Sequence, residues 1–152
     1  MNHPEKMHSC LHCNTRIDEK VYKSSTASFG FHLCFNCQHS LQIDNNTCAE
    51  AIKLYLSLKK REVPAELEKF DGHKTIDIAV ADARVNIEVD GTQHNSNYNQ
   101  AFSDLRQNCY SFQPGYFTLK IPNSLIREYL EDTADYVTEF LRLNKSKIRT
   151  AS

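Results

Sequence analysis

Hydrophobic and polar residues alternate along residues 84–90, where polar side chains separate Val85, Ile87 and Val89. A period of two predicts a β-strand with one buried face and one polar face. Residues 75–80 form a second short run of the same kind, and the brief segment between the two runs predicts a turn. We therefore expect two neighbouring strands at the centre of the fold.

The rest of the pattern predicts helices on either side of these strands. Thr47 is a good N-cap, and Glu50 three residues later completes a capping box. In chain order, we predict a helix over 47–61, strands over 66–70, 75–80 and 84–90, a helix over 101–112, a strand over 116–121, a helix from 123 or 124 to 143, and a frayed basic tail over 145–152. This order predicts a mixed α/β domain with a sheet covered by helices.

Length and charge limit what the chain can be. Its 152 residues allow one medium domain, with or without a small metal-stapled module. The formal net charge of −1 gives no overall attraction to nucleic acid, so any such affinity must come from local patches. No apolar run is long enough to span a membrane, and residues 1–10 lack the apolar core of a signal peptide. We expect a soluble, cytoplasmic protein.

Two Cys-x-x-Cys pairs near the start of the chain predict a metal site. They are Cys10 with Cys13 and Cys34 with Cys37, separated by twenty residues. Zinc prefers four ligands in a tetrahedron, and a two-residue spacer lets both thiolates of a pair face one ion. We predict structural zinc, with a redox dithiol and an iron–sulfur site as the alternatives.

The segment between the two pairs is too polar and too short to form its own core. Gly30, between Phe29 and Phe31, predicts a hairpin folded over the metal. Histidines near the cysteines could each replace a thiolate, but four cysteines already complete the shell, so we expect surface positions for His8, His12, His32 and His39. The pattern resembles zinc-ribbon or treble-clef modules, which bind DNA, RNA or protein. We place this zinc module at residues 1–45 and a second domain at 46–152.

Carboxylates gather on the polar face of the central strands. Glu88 and Asp90 are two residues apart and so share a face, and Asp77 reaches that face if the two strands form a hairpin. Three carboxylates on one face repel each other unless a cation lies between them. Mg²⁺ supplies such a charge and prefers oxygen ligands. These residues alone leave two interpretations open, a metal site and a solvated strand face.

Residues 47–141 resemble the PD-(D/E)XK nuclease superfamily, in particular the small branch similar to the very-short-patch-repair endonuclease. The matching features are Ala49-Glu50 and Leu58-Lys59 on the first helix, Ile76-Asp77, the segment Ile-Glu-Val-Asp-Gly-Thr-Gln-His at 87–94, Asp104, Gly115-Tyr116 and Lys120. The resemblance implies a restriction-endonuclease-like mixed sheet flanked by helices. It also implies Mg²⁺-dependent cleavage of a phosphodiester.

The resemblance assigns roles to five residues. Asp77, Glu88 and Asp90 would hold Mg²⁺, and His94 would accept or relay a proton. Glu50 matches the glutamate that the family carries on its first helix, although a capping role explains it equally well. The superfamily's usual lysine, two residues after the metal-binding glutamate, is replaced by Asp90, and in this branch an aspartate and a following histidine are expected instead.

We therefore expect a metal-dependent DNA endonuclease or nickase whose zinc module aids nucleic-acid binding. The alternative is a non-catalytic zinc-containing module, on a degenerate nuclease fold, that binds nucleic acid or protein. The predicted partner is nucleic acid, DNA rather than RNA, and a homodimer is also possible. Two groups of basic residues could contact phosphates: Lys53, Lys59, Lys60 and Arg61 on the first helix, and Lys145, Lys147 and Arg149 in the tail. The competing interpretation is that these side chains are ordinary solvated surface charges.

Overall fold

The computed structural model describes residues 7–41, 49–67, 77–90, 99, 102, 109–113 and 116–151. The chain divides into two compact units, Met1–Ala49 and Glu50–Ser152. Within the described ranges, no helix is both long and apolar enough to cross a bilayer.

The described part of the first unit contains two very short strands and two helices. Strands β1 (His8–Ser9) and β2 (Arg16–Ile17) pair antiparallel. Helix α1 (Glu19–Phe29) follows directly, and helix α2 (Phe35–Leu41) ends the described part of the unit.

The predicted hairpin over the metal is wrong, because its place is taken by α1. The Asp18 side chain caps this helix by accepting a hydrogen bond of 2.8 Å from the Val21 backbone N–H. Gly30 ends the helix in the left-handed region, at φ +79°, where glycine has no steric cost. The glycine that suggested a hairpin turn is therefore a helix terminus.

One buried hydroxyl holds the segment after α1 against that helix. The Ser25 Oγ donates to the Phe31 carbonyl at 2.6 Å and accepts from the Leu33 N–H at 2.9 Å. Ser25 and Leu33 have no exposed surface. The hydroxyl thus satisfies two backbone groups that burial would otherwise leave unpaired.

The second unit is a mixed five-stranded sheet with helices. Its elements are α3 (Ala49–Lys60), β3 (Glu66–Leu67), β4 (Asp77–Val80), β5 (Val85–Asp90), β6 (Cys109–Gln113), β7 (Tyr116–Pro122), α4 (Asn123–Glu128) and α5 (Leu130–Ala151). The strand order is β3-β4-β5-β7-β6, in which β5 and β7 run parallel and the other neighbours run antiparallel. The prediction of a mixed α/β sheet with helices is confirmed.

The buried face of the sheet follows the alternation in the sequence. Ile78 on β4 lies opposite Ile87 on β5, which lies beside Leu119 on β7, and none of the three has exposed surface. Leu54 and Leu58 of α3 are also completely buried. Full burial of one such side chain contributes about 1.5–3 kcal/mol, so this layer is a large part of the unit's stability.

Two predictions in the second half of the chain need correction. The predicted helix 101–112 is wrong over its last residues, because Cys109–Gln113 forms β6 at the sheet edge; Asn99 and Phe102 are helical. The tail is not frayed, since α5 continues to Ala151. The last helix is also interrupted at Tyr129, whose backbone at φ −137° separates α4 from α5.

Backbone conformation also corrects the start of the central strand. Arg84 is not part of β5; it has φ +54° and closes a single 3₁₀ turn, Ala81–Ala83. Of the other predicted elements, Thr47 and residues 68–76 lie outside the described residues.

The end of α5 is held against this 3₁₀ turn. Asn144 is 8% exposed and donates a hydrogen bond of 2.6 Å to the Ala83 carbonyl. Lys145 forms an ion pair of 2.9 Å with Asp82. These contacts give the C-terminal turns of α5 a packed position, which explains why the tail remains helical.

Replacing Asn144 by Ala should destabilise the second unit by about 1–3 kcal/mol, because it leaves the Ala83 carbonyl without its donor. Thermal unfolding followed by circular dichroism should show a melting temperature lower by roughly 4–8 °C per kcal/mol. Leu143→Ala is the control, since Leu143 lies on the same helix and is 49% exposed. Equal effects of the two substitutions would contradict this role for Asn144.

Candidate functional site

The four cysteines of the two pairs lie together in the first unit. Ligand atoms from Cys10, Cys13, Cys34 and Cys37 all lie within 4.8 Å of one another. The Sγ atoms of Cys13 and Cys34 are 3.7 Å apart. Two sulfurs bound to one zinc at about 2.3 Å lie roughly 3.8 Å apart in a tetrahedron, whereas a disulfide needs about 2.05 Å. The four residues are free thiols close enough together to hold one metal ion, and the Cys13–Cys34 separation matches that of two sulfurs on one zinc.

The first pair lies on the turn between β1 and β2. The Cys10 N–H donates to the Thr15 carbonyl at 2.8 Å, and the Asn14 N–H donates to the Cys10 carbonyl at 3.0 Å. Asn14 has φ +64°, a conformation that asparagine adopts more readily than most residues. The turn brings both sulfurs of the pair to one side.

The second pair lies at the start of α2. Cys34 precedes the helix and its carbonyl accepts the first helical hydrogen bond, from Gln38 N–H at 2.9 Å. Cys37 follows three residues later and therefore shares a helix face with Cys34. The segment before α2 is joined to the first pair, because the Leu11 N–H donates to the His32 carbonyl at 3.0 Å.

Histidines of this unit make contacts outside the sulfur cluster. The His8 ring stacks on Tyr22, with centroids 3.8 Å apart and planes 16° apart. The His32 Nδ1 lies 2.8 Å from the Ser9 carbonyl. Among the described residues, the group dense enough to hold a metal contains the four cysteines and no histidine. Sequence reasoning did not anticipate the stacking role of Tyr22.

The surroundings of Cys13, Cys34 and Cys37 shift the pKa values of their thiols in different directions. A hydrogen bond with the Thr15 hydroxyl, helped by the Thr15 backbone, lowers the pKa of Cys13 from 9.0 to about 6. Burial raises the pKa of Cys34 and of Cys37 above 9.0. Without a cation, Cys34 and Cys37 hold their protons near neutral pH. A divalent ion supplies the charge that allows all four to be thiolates.

The central strands of the second unit bring two predicted acidic positions into line. Asp77 on β4 is directly opposite Glu88 on β5, and Glu88 is beside Lys120 on β7. We call these three positions the charged row. Glu88 and Lys120 are both partly exposed. Asp90 ends β5 beside Pro122, two residues beyond Glu88. His94 and Asp104 lie outside the described residues.

Glu50 forms an ion pair that the sequence did not predict. Its carboxylate accepts a hydrogen bond of 3.2 Å from the Arg127 guanidinium, which links the start of α3 to α4. The capping-box partner Thr47 lies outside the described residues. The ion pair gives Glu50 a structural explanation of its own.

Two of the basic residues proposed to contact phosphates are engaged in ion pairs. Arg61 binds Glu131 at 2.7 Å and Asp135 at 2.9 Å, and its side chain is only 18% exposed. Lys145 pairs with Asp82. These contacts tie α3 and the 3₁₀ turn to α5, so both residues have a structural role.

A cleft of about 210 Å³ lies elsewhere in the second unit. Val63, Val80 and Leu141 contribute apolar surface, and Asp82 and Lys145 are among its charged residues. Val80 is at the opposite end of β4 from Asp77. The cleft is therefore separate from the charged row.

Comparison with protein-family models, with curated proteins and with solved structures finds no match to this chain. Any functional conclusion must therefore come from the geometry of the two sites.

One tightly held zinc ion per chain is expected at the cysteine cluster. Elemental analysis of protein purified without added zinc should find it, and Cys34→Ser should lose the metal and unfold the first unit, because that unit has little other core. Cys109→Ser, on β6 of the second unit, is the control and should retain the metal. A metal-free wild type with two disulfides would contradict the zinc site.

The acidity of Cys13 gives a prediction about pH. With a pKa of about 6, Cys13 is largely a thiolate near neutral pH and has no proton to release when metal binds. Thr15→Val should raise that pKa toward 9.0, so zinc binding near neutral pH should release up to one more proton and weaken more steeply as the pH falls. Calorimetry in buffers of different ionisation enthalpy measures the release. Thr26→Val, at an exposed position of α1, should match wild type, and an equal release from both variants would argue against the Thr15 effect.

Proposed function

We propose that the second unit is a Mg²⁺-dependent endonuclease or nickase acting on DNA, and that the first unit is a structural zinc module that helps it hold nucleic acid. The observation that carries the proposal is the strand register, in which Asp77 is directly opposite Glu88. Like charges at directly opposed positions destabilise a sheet. A divalent cation would offset that repulsion.

The order of elements also supports a nuclease. The helix α3 precedes three antiparallel strands, β3 to β5, and β7 then joins β5 in parallel before the last helices. This is the mixed sheet with flanking helices that the resemblance to the PD-(D/E)XK superfamily implies. The edge strand β6 is an addition to the predicted order.

The chemistry assigned to the site is hydrolysis of a phosphodiester. A water oxygen forms a bond to phosphorus, the bond from phosphorus to one sugar oxygen breaks, and that oxygen takes up a proton. Asp77, Glu88 and Asp90 would hold Mg²⁺, which when bound polarises the phosphate and acidifies water. His94 would accept the proton that the attacking water loses.

The zinc module would contribute contact surface more than charge. Its described residues contain three basic and two acidic side chains, and four thiolates with one Zn²⁺ add two further negative charges. Phe35, between the two ligands of the second pair, is 68% exposed. An exposed aromatic ring on a metal-fixed backbone can stack on an unpaired base.

A binding module without catalytic activity is the second candidate. The ion pairs of Arg61 and Lys145 favour it, because they engage two of the cations that a nuclease would use to grip phosphates. In that case the exposed Phe35 would contact a protein or nucleic acid, and no cleavage would follow.

Supercoiled plasmid should be nicked or cut in the presence of Mg²⁺ and left intact in EDTA. Glu88→Gln and Asp77→Asn should abolish cleavage, because each removes a carboxylate that holds the ion, and the metal-free variants should melt at or above the wild-type temperature. Glu66→Gln is the control, since Glu66 is an exposed acid on β3, and it should cut like wild type.

His94→Ala distinguishes proton transfer from metal binding. It should retain Mn²⁺ affinity and lose roughly a hundredfold or more in rate. If wild type binds no divalent ion at millimolar concentration beyond its zinc, the nuclease proposal fails and the binding module replaces it.

A further inference from the structure

The cleft of the second unit leaves one of its charges unmatched. Lys145 forms an ion pair of 2.9 Å with Asp82, and both line the cleft. The Arg142 guanidinium, also at the cleft, pairs with Glu139. Glu62 lines the cleft too, and its exposed side chain forms no hydrogen bond or ion pair with a described residue. Because each ion pair is neutral, Glu62 leaves the cleft with one net negative charge, which a cation would complement.

Glu62 occupies a backbone position that usually carries glycine. It follows α3 and has φ +62°. Its N–H donates to the Lys59 carbonyl at 3.0 Å, and the Val63 N–H donates to the Leu58 carbonyl at 3.0 Å. These two hydrogen bonds form a Schellman motif, whose left-handed residue is commonly glycine because a side chain is strained there. The chain therefore keeps a glutamate at the expense of some stability, and the motif fixes its backbone at the rim of the cleft.

The floor of the cleft is apolar, and the cleft is small. Val63, Val80 and Leu141 line it, and each is at most 9% exposed. Its volume of about 210 Å³ is below the roughly 300–1,000 Å³ of sites that hold whole small molecules. The rim is open, since Pro64 and Arg142 are exposed, so a free small molecule would remain largely in water. A single side chain of a partner protein suits the cleft better, because the partner would cover the rim.

A lysine side chain matches both the floor and the charge. Its four-carbon stem can lie on apolar surface while the ammonium group reaches the unmatched carboxylate. Arginine is less suitable, because its guanidinium presents five donors and the cleft offers one carboxylate without a partner. We propose that the cleft is a docking site for a lysine side chain of a partner protein, held at its charged end by Glu62. The cleft is separate from the charged row, so this inference does not depend on nuclease activity.

The test is an NMR titration of zinc-loaded, full-length protein with a five-residue alanine peptide that carries lysine at its centre. The backbone amide signals of Val63 and Ala83 should shift and reach saturation, because both residues line the cleft. The same peptide with norleucine keeps the stem without the ammonium group and should bind roughly two- to fivefold more weakly, as expected for loss of an exposed ion pair. The peptide with arginine should also bind more weakly than the lysine peptide.

Two substitutions of Glu62 separate its charge from its backbone strain. Glu62→Gln should weaken binding of the lysine peptide roughly two- to fivefold and leave the melting temperature unchanged. Glu62→Gly should weaken binding to the same extent and raise the melting temperature by a few degrees, because it relieves the left-handed strain. Glu66→Gln is the matched control and should bind like wild type, since Glu66 is a nearby exposed acid that does not line the cleft.

The outcomes decide the site and its occupant separately. Equal binding of the lysine and norleucine peptides, or unchanged binding by Glu62→Gln, would overturn the proposal. Signal shifts confined to Glu88 and its neighbours would also overturn it, because they would place the peptide at the charged row. An arginine peptide that binds as tightly would overturn the choice of lysine, and n-butylamine that binds as tightly would overturn the choice of a protein partner. Weaker binding by both Glu62 variants, with only Glu62→Gly melting higher, is the result that supports the proposal.

Discussion

Burial of one apolar row sets the register of the central strands. The register in turn decides which residues lie side by side on the opposite face of the sheet. Ile78, Ile87 and Leu119 lie side by side without exposed surface. A slip of one residue would turn these side chains to the polar face at a cost of several kcal/mol. The charged row is the position next to this apolar row on each strand, so the core fixes its alignment without any contribution from the charges themselves.

The first unit depends on a different constraint, because its described residues bury few apolar side chains. These are Ile17, Phe31, Leu33 and Leu41, beside Cys10 and Cys37. Domains of about forty residues or fewer usually need a metal, a disulfide or a partner. The two cysteine pairs lie on a turn and at a helix start, and a metal ion would join them directly. Metal binding would then supply a large share of the folding free energy of this unit.

Local sequence rules predicted the elements in which one signal dominates. The alternation around Ile87 predicted the central strand, which the structure contains. The cysteine spacing predicted that the four cysteines lie together, and they do. The rules failed where two interpretations of one residue compete. Gly30 suits a hairpin turn and a helix terminus equally, and the capping hydrogen bond from Val21 to Asp18 decides for the helix.

Tertiary contacts explain the other differences. Cys109–Gln113 has a short apolar pattern compatible with helix or strand, and pairing with β7 selects the strand. The tail contains mostly polar residues, and the fixed position of Asn144 against Ala83 keeps it helical. The register that joins Asp77, Glu88 and Lys120 could be only partly foreseen, because the sequence shows faces within a strand but not which residue of a distant strand lies alongside.

The same register that creates the candidate site also makes it unfavourable when empty. Opposed carboxylates weaken a strand pair by roughly 0.2–1 kcal/mol relative to neutral residues. Lys120, beside Glu88, offsets part of this cost, while Asp77 lies on the far side of Glu88 from it. β4, with four residues, is the shorter of the two central strands. A cation at the charged row would stabilise the β4–β5 hairpin in addition to supplying chemistry, so that metal binding and order of the central hairpin are coupled by the same charges.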